Sequence, residues 1–105
     1  MVKLVSLIKR KQGLSREDFA NWAVKEHSPL GLRFPGVRGY HISVLAADQP
    51  ETEFDGVFEL WFDDMNSLQN ALDSPAGHAA RDDAMAHAEK RVHLRTQEHV
   101  IKDSH

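Results

Sequence analysis

Two side chains in this chain of 105 residues are candidates for proton chemistry: His27 and Tyr40. A histidine with an ordinary pKa of about 6.5 takes and returns protons near neutrality, and a tyrosine hydroxyl can donate to a developing enolate or carbonyl oxygen. His27 stands in the stretch NWAVKEHSPLGLRFPG. At about 100° per residue, Phe19, Ala20, Trp22, Ala23, Val24 and His27 share one arc of a helix running from Ser15 to His27, and Arg16, Asn21 and Lys25 fall away from it. Pro29 disfavours helical geometry at Ser28, so the helix is expected to end at or just after His27. Position alone leaves His27 two roles, a cap at the negative helix end or an acid–base group in a pocket. Tyr40 has the same duality: a ring at the core edge with a wet hydroxyl, or a hydrogen-bond donor to substrate.

Metal ligation is the next chemistry to weigh. His78 and Asp82, and likewise Asp83 and His87, are spaced to share a helix face and could offer nitrogen and oxygen ligands to zinc, iron or manganese. Neither pair forms a ligand signature, and both lie in a charged, alanine-rich segment that reads as a solvated face; His93, His99 and His105 add none. Haem ligation by His27, His78 or His93 is a weaker alternative. The chain has no cysteine, which excludes disulfides, thiolate nucleophiles and cysteine-held clusters and fits a reducing compartment. It carries no nucleotide-binding glycine pattern and no Gly-x-Ser-x-Gly. The expectation is a protein with no metal and no cofactor.

Charge and hydropathy narrow the partners. A net charge of -3 and a pI near 6.1 argue against nucleic acid or an anionic membrane. The basic run Lys9-Arg10-Lys11 is short and reads as a solvated strand end. No apolar run approaches the ~20 residues of a membrane helix, and no secretory signal is visible, so a cytoplasmic location is expected.

The elements that must position these residues follow from periodicity. Val2 to Lys9 is an apolar strand, broken at Gly13, and Ser15 with Asp18 marks a helix start. After the Pro35-Gly36 turn, Val37 to Leu45 alternates as a second strand, with Tyr40, Ile42 and Val44 on one face. Gly56 to Phe62 is a third, with Phe58, Leu60 and Phe62 opposed to Val57, Glu59 and Trp61. Asp63-Asp64 cap a helical region that restarts at Ser74-Pro75 and runs to about Lys90. Arg91 to Ile101 alternates as a last strand, with His93 and Arg95 on its polar face. The order β-α-β-β-α-β predicts an α+β, ferredoxin-like sandwich as a single domain over residues 1–105: four antiparallel strands with both helices on one face. Glu59, Trp61, His93 and Arg95 are expected on the bare face. Pairing of that face would give a homodimer whose two sheets close into a barrel, with a cavity between sheet and helices or at the barrel mouth.

Four stretches in order resemble the EthD family of the dimeric α+β barrel superfamily. They are Gly13-Leu14-Ser15 with Phe19, Trp22, His27 and Pro29; Pro35-Gly36-Val37 with Tyr40; Asp55-Gly56-Val57 leading into Glu59-Leu60-Trp61-Phe62; and Ser74-Pro75 with Asp82 after it. The resemblance implies a ferredoxin-like protomer that dimerises through its sheets, among relatives that include methylmuconolactone isomerases, polyketide cyclases and cofactor-free monooxygenases. In the muconolactone-isomerase-like relatives a histidine ending the first helix and a tyrosine on the second strand line the pocket, and His27 and Tyr40 match them. The chain departs from the pattern in having no cysteine, and in following Asp82 and Asp83 with Ala84, Met85 and Ala86 where many members carry an aromatic residue.

The expected function is a cofactor-independent enzyme for a small oxygenated cyclic or aromatic catabolite, of lactone isomerase, cyclase or lyase type. His27 would move a proton and Tyr40, helped by His41 or Arg95, would hold the oxyanion; Trp61, Phe58 and Glu59 would complete the substrate site. The alternatives are a non-catalytic small-molecule-binding or accessory protein of a degradation pathway, a haem-binding protein, or a cofactor-free monooxygenase.

Overall fold

Alternating apolar and polar side chains make the strands, and polar caps start the helices. The computed structural model describes residues 1–104, so His105, weighed above as a ligand, lies outside the described residues. The strands are β1 (Val2–Arg10), β2 (Gly39–Val44), β3 (Gly56–Phe62) and β4 (Ala88–Gln97), all antiparallel to their neighbours in the order β2-β3-β1-β4. The helices are α1 (Arg16–Asn21), a π-helical segment (Trp22–His27), α2 (Ser28–Gly31), α3 (Met65–Asp73) and α4 (Pro75–His87). Together they form the ferredoxin-like α+β arrangement.

Each cap does what its residue type predicts. The Ser15 hydroxyl accepts from the Asp18 amide at 3.0 Å and the Asp64 carboxylate from the Ser67 amide at 2.8 Å. Ser74 closes α3 and opens α4, accepting from the Gly77 amide at 3.1 Å, with Pro75 at the first helical position. Side chains of β1 at Val2, Leu4, Ser6 and Ile8 face the helices with Phe58, Leu60 and Phe62 of β3, and Phe19, Trp22, Phe34 and Leu68 pack down on them. Burying each large side chain of this set contributes about 1.5–3 kcal/mol.

The first helix does not end at His27. The Ser28 amide reaches back to the Ala23 carbonyl, a π-type bond that inserts one residue into the turn, and the chain continues helically through Gly31. Ser28 is helical, with φ -55° and ψ -39°, despite the proline that follows. The wide turn supplies the reason: Pro29 has no N–H to satisfy, and the loosened turn makes room for its ring. The insertion also re-aims the helix. Trp22, Ala23 and His27 are buried, whereas Val24, expected on the same arc, is 53% exposed.

The last strand corrects a second expectation. It starts at Ala88 and ends at Gln97, because α4 stops at His87. Its register sets Arg91 opposite Ile8, His93 opposite Ser6 and Arg95 opposite Leu4, so these polar side chains share the helix-covered face of β1. Val92 and Leu94 point to the outer face, opposite Leu7 and Val5. His93 and Arg95 therefore do not lie with Glu59 and Trp61. An alternating strand does not declare which face is inward, and here the polar face is drawn in by a cavity.

Candidate functional site

The site is built around the π-helical turn. A turn wider than that of an α-helix brings Trp22 and His27 side by side, with ring centroids 4.8 Å apart. One carboxylate, Asp83 of α4, holds both: the Trp22 indole N–H donates to Oδ2 at 3.1 Å and His27 Nδ1 lies 2.8 Å from the same oxygen. A carboxylate only accepts, so Nδ1 of His27 carries the hydrogen and Nε2 of the neutral ring is left as the basic nitrogen. His87, one turn after Asp83, stacks on Trp22 at 4.5 Å and donates from Nδ1 to the Asp83 carbonyl at 2.8 Å. The Asp83/His87 pair is thus half of a partly buried aromatic and polar network, not a fully solvated face. Among the described residues no group of three or more histidine or acidic side chains is arranged to hold a metal ion.

Beside this network lies a cavity of about 420 Å³ between sheet and helices. His27, Tyr40, Phe58 and Arg95 line it. Trp61, Glu59 and His41 do not: they occupy the opposite face of the sheet, where His41 meets the edge of Trp61 at 4.6 Å and Lys3 bridges Glu59 at 2.9 Å and Glu98 at 3.2 Å. Their expected share in one pocket with His27 is corrected by the same alternation that puts Phe58 and Leu60 inside.

Cross-strand register maps the cavity floor. One row runs Tyr40, Leu60, Leu4, Arg95 across all four strands, and the next runs Ile42, Phe58, Ser6, His93. With strands about 4.8 Å apart, the backbones of Tyr40 and Arg95 are roughly 14 Å apart. The floor is therefore apolar in its middle, phenolic at one edge and basic at the other. Arg95 is tied by a short hydrogen bond to the Gln69 side chain of α3, so it does not join Tyr40 around a single oxygen.

Two atoms at the site lack hydrogen-bond partners among the described residues. Every fully buried side-chain nitrogen or oxygen among the described residues is hydrogen-bonded. Nε2 of His27 and the Tyr40 hydroxyl have no such bond, so both retain contact with the cavity. Burial pushes the His27 pKa below its ordinary value, against the opposing pull of Asp83. Burial likewise drives the Tyr40 hydroxyl well above the usual tyrosine range. At neutral pH the pair is thus a neutral base and a protonated donor. The Tyr40 ring rests directly on Gly31, where any Cβ would collide with it.

Ser6 and Arg91 line the cavity and Asp83 holds His27 at its edge; the sequence did not announce them as a group. Asp83 had a signal in the need of a buried Trp22 indole for an acceptor. Ser6, buried among apolar neighbours, bonds His93 Nδ1 at 2.7 Å.

Fold and site together define a class: a ferredoxin-like α+β chain with a histidine and a tyrosine facing a cavity between sheet and helices. A model of the EthD domain matches residues 11–91, and the chain belongs to the EthD family. An EthD-family protein from Bacillus halodurans C-125 is 28% identical, with a TM-score of 0.81 over 94% of this chain and 99% of its own. Two more distant structures share the fold. Hydroxynitrile lyase from Passiflora edulis is 16% identical, with a TM-score of 0.75 over 97% of this chain and 96% of its own. A dimeric ferredoxin-like protein of unknown function from Bacteroides fragilis is 17% identical, with a TM-score of 0.71 over 92% of this chain and 95% of its own. No curated protein sequence matches significantly. Among the described residues no helix is long and apolar enough to cross a membrane.

Proposed function

We propose that this EthD-family protein is a cofactor-independent enzyme that moves a proton next to a carbonyl in a small oxygenated cyclic or aromatic molecule. The observation that carries the reading is His27, with Nδ1 held by Asp83 and Nε2 left to the cavity. Nε2 removes a proton from the carbon beside the carbonyl, and the electron pair moves onto oxygen as an enolate. The Tyr40 hydroxyl donates to that oxygen. Return of the proton from the imidazolium to another carbon gives isomerisation, and expulsion of a leaving group gives lyase chemistry. Asp83 orients the ring and stabilises its charged form during the transfer. A hydroxynitrile lyase with the same fold is compatible with acid–base chemistry on this scaffold.

The test is deuterium incorporation from D2O into a panel of small cyclic ketones and lactones, followed by NMR. Wild-type protein is expected to accelerate exchange, and His27→Ala to return it to the buffer rate with the circular dichroism spectrum unchanged. Equal exchange by the variant removes His27 from the mechanism, and no exchange by the wild type removes the reading.

The same proposal takes the protein as a homodimer joined through the outer sheet face. Val5, Leu7, Val57, Val92 and Leu94 give that face an apolar patch beside the Lys3–Glu59 pair, and Leu94 is 46% exposed. Similarly folded neighbours are described as dimeric. Light scattering at micromolar concentration is expected to give twice the chain mass, and Leu94→Glu to give the monomer.

A further inference from the structure

The basic edge of the cavity has a chemistry that proton transfer leaves unused. Three arginines and three histidines line the cavity. Arg81 pairs with Asp82 at 3.3 Å, Arg95 with Gln69, and His93 with Ser6. Arg91 differs. It is partly buried on the helix-covered face of β4, and among the described residues it has neither a hydrogen-bond nor an ion-pair partner. Its charge disfavours protonation of both His27 and His93, and Arg81 adds like charge beside it. The cavity's own carboxylate, Asp73, accepts from Gln69 at 3.0 Å. A guanidinium removed from water without a counter-charge is costly, and its planar fork matches a carboxylate through two parallel hydrogen bonds.

We propose that the cavity takes a small apolar molecule bearing one carboxylate, with the carboxylate on Arg91 and the apolar body lying over Ile8 and Phe58 toward Tyr40. The floor fits such a body, since Leu4, Ile8, Phe58 and Leu60 separate the basic edge from the phenol. A single charge is favoured over a dianion for two reasons: one cation is unmatched, and Asp73 repels further negative charge. The inference rests on the acid–base reading only in saying that the end of the molecule away from the carboxylate is the one that reacts.

The experiment titrates benzoate, benzamide and phenyl phosphate into the full chain at neutral pH, by calorimetry and by NMR of the histidine ring resonances. Benzoate is expected to bind with a Kd of about a millimolar and to shift the rings of His27 and His93. Benzamide should bind at least tenfold more weakly. Arg91→Gln should weaken benzoate at least tenfold, with partial recovery in Arg91→Lys. Benzamide matching benzoate, benzoate failing to bind, unmoved histidine rings, or an unaffected Arg91→Gln each overturn the proposal. Tighter binding of phenyl phosphate overturns the choice of a single charge. The comparison of benzoate with benzamide uses wild-type protein, so it stands even if Arg91→Gln fails to fold. Binding is read without turnover. Benzoate bound with no deuterium exchange therefore fails only the acid–base reading, and exchange of a neutral ketone with no benzoate bound fails only the carboxylate site.

Discussion

Arg10 and Arg91 sit on neighbouring strands and differ in what surrounds their charge. Arg10 is saturated. Its backbone N–H and guanidinium both bond Asp55, its Nη1 lies 3.0 Å from Glu51, and its Nε donates to the Leu14 carbonyl at 2.9 Å. Lys9 adds a contact to Asp55 at 3.3 Å. Asp55 is 2% exposed, so this cluster closes the end of β1 against the loop before β3. Arg91 has a cavity in front of it and, among the described residues, no carboxylate paired with it. The cavity's own acid, Asp73, is bonded to Gln69, and Asp83 of α4 is committed to His27 and Trp22. A saturated cation locks structure, whereas an unmatched one beside a cavity leaves room for a ligand.

The largest effect is expected where a carboxylate serves chemistry and not packing alone. Asp83→Asn keeps a group of the same size but removes the negative charge that fixes the His27 ring and steadies its imidazolium. Proton transfer should fall by on the order of 10²–10⁴-fold, with the fold kept. The measurement is the deuterium exchange rate across a pH series. A merely structural Asp83 would lower stability and leave the pH profile of the surviving activity where it was.

Next is the saturated cluster itself. Asp55→Ala removes the shared partner of Arg10 and Lys9 and should cost about 3 kcal/mol, the low end for a broken buried pair because Glu51 remains. Urea unfolding gives this value directly. A loss under about 1 kcal/mol would mean that the cluster acts as a surface salt bridge, and the contrast with Arg91 would weaken.

Acid should separate the two regions without any mutation. The folded-state pKa values of His27 and His93 are both pushed below the ordinary 6.5, first by burial. The unfolded chain then binds more protons than the folded one just below that pH. Stability is accordingly full above about 6.5 and declines as the pH falls below it. The Arg10 cluster has a different window. Glu51 is held down to about 2 by its bonds to Arg10 and Lys9 and stays charged through the histidine range. A stability loss between about pH 6.5 and 5 that shrinks in His27→Gln and His93→Gln would belong to the cavity side. A loss in that window that neither variant reduces would contradict it.

How much of this the sequence made legible follows from which signals are local. Ser15, Asp64 and Ser74 declare helix starts through their own hydroxyl or carboxylate, and the alternation of GVFELWF declares both faces of β3, so the fold and the inward placement of Phe58 were readable. His27 and Tyr40 could be named from position in the helix and on the strand. The π-helical turn could not, since it arises from tertiary packing of Trp22 and His27 on Asp83 against the ordinary helix period. The face of β4 was also hidden. A strand with one polar and one apolar side reads the same whether the polar side meets solvent or a cavity, and only the pairing of Leu4 with Arg95 decides it. Arg91 therefore belongs to no site readable from the sequence, and Trp61 lies on the sheet face away from the cavity.

The smallest effect is the most pointed. Replacing a partly buried cation by an apolar group of similar reach removes a charge that pairs with nothing among the described residues. Arg91→Leu should therefore change unfolding stability by no more than about 1 kcal/mol, in the stabilising direction if in either. Arg10→Leu, which strips Asp55 and Glu51 of their shared partner, should cost at least about 2 kcal/mol. Adding benzoate should raise the melting temperature of the wild type and leave that of Arg91→Leu unmoved, because only binding to the folded state transmits stability to it. If the two arginines prove equally costly to remove, the chain itself supplies Arg91 with a stabilising role, and the cavity's basic edge is structural after all.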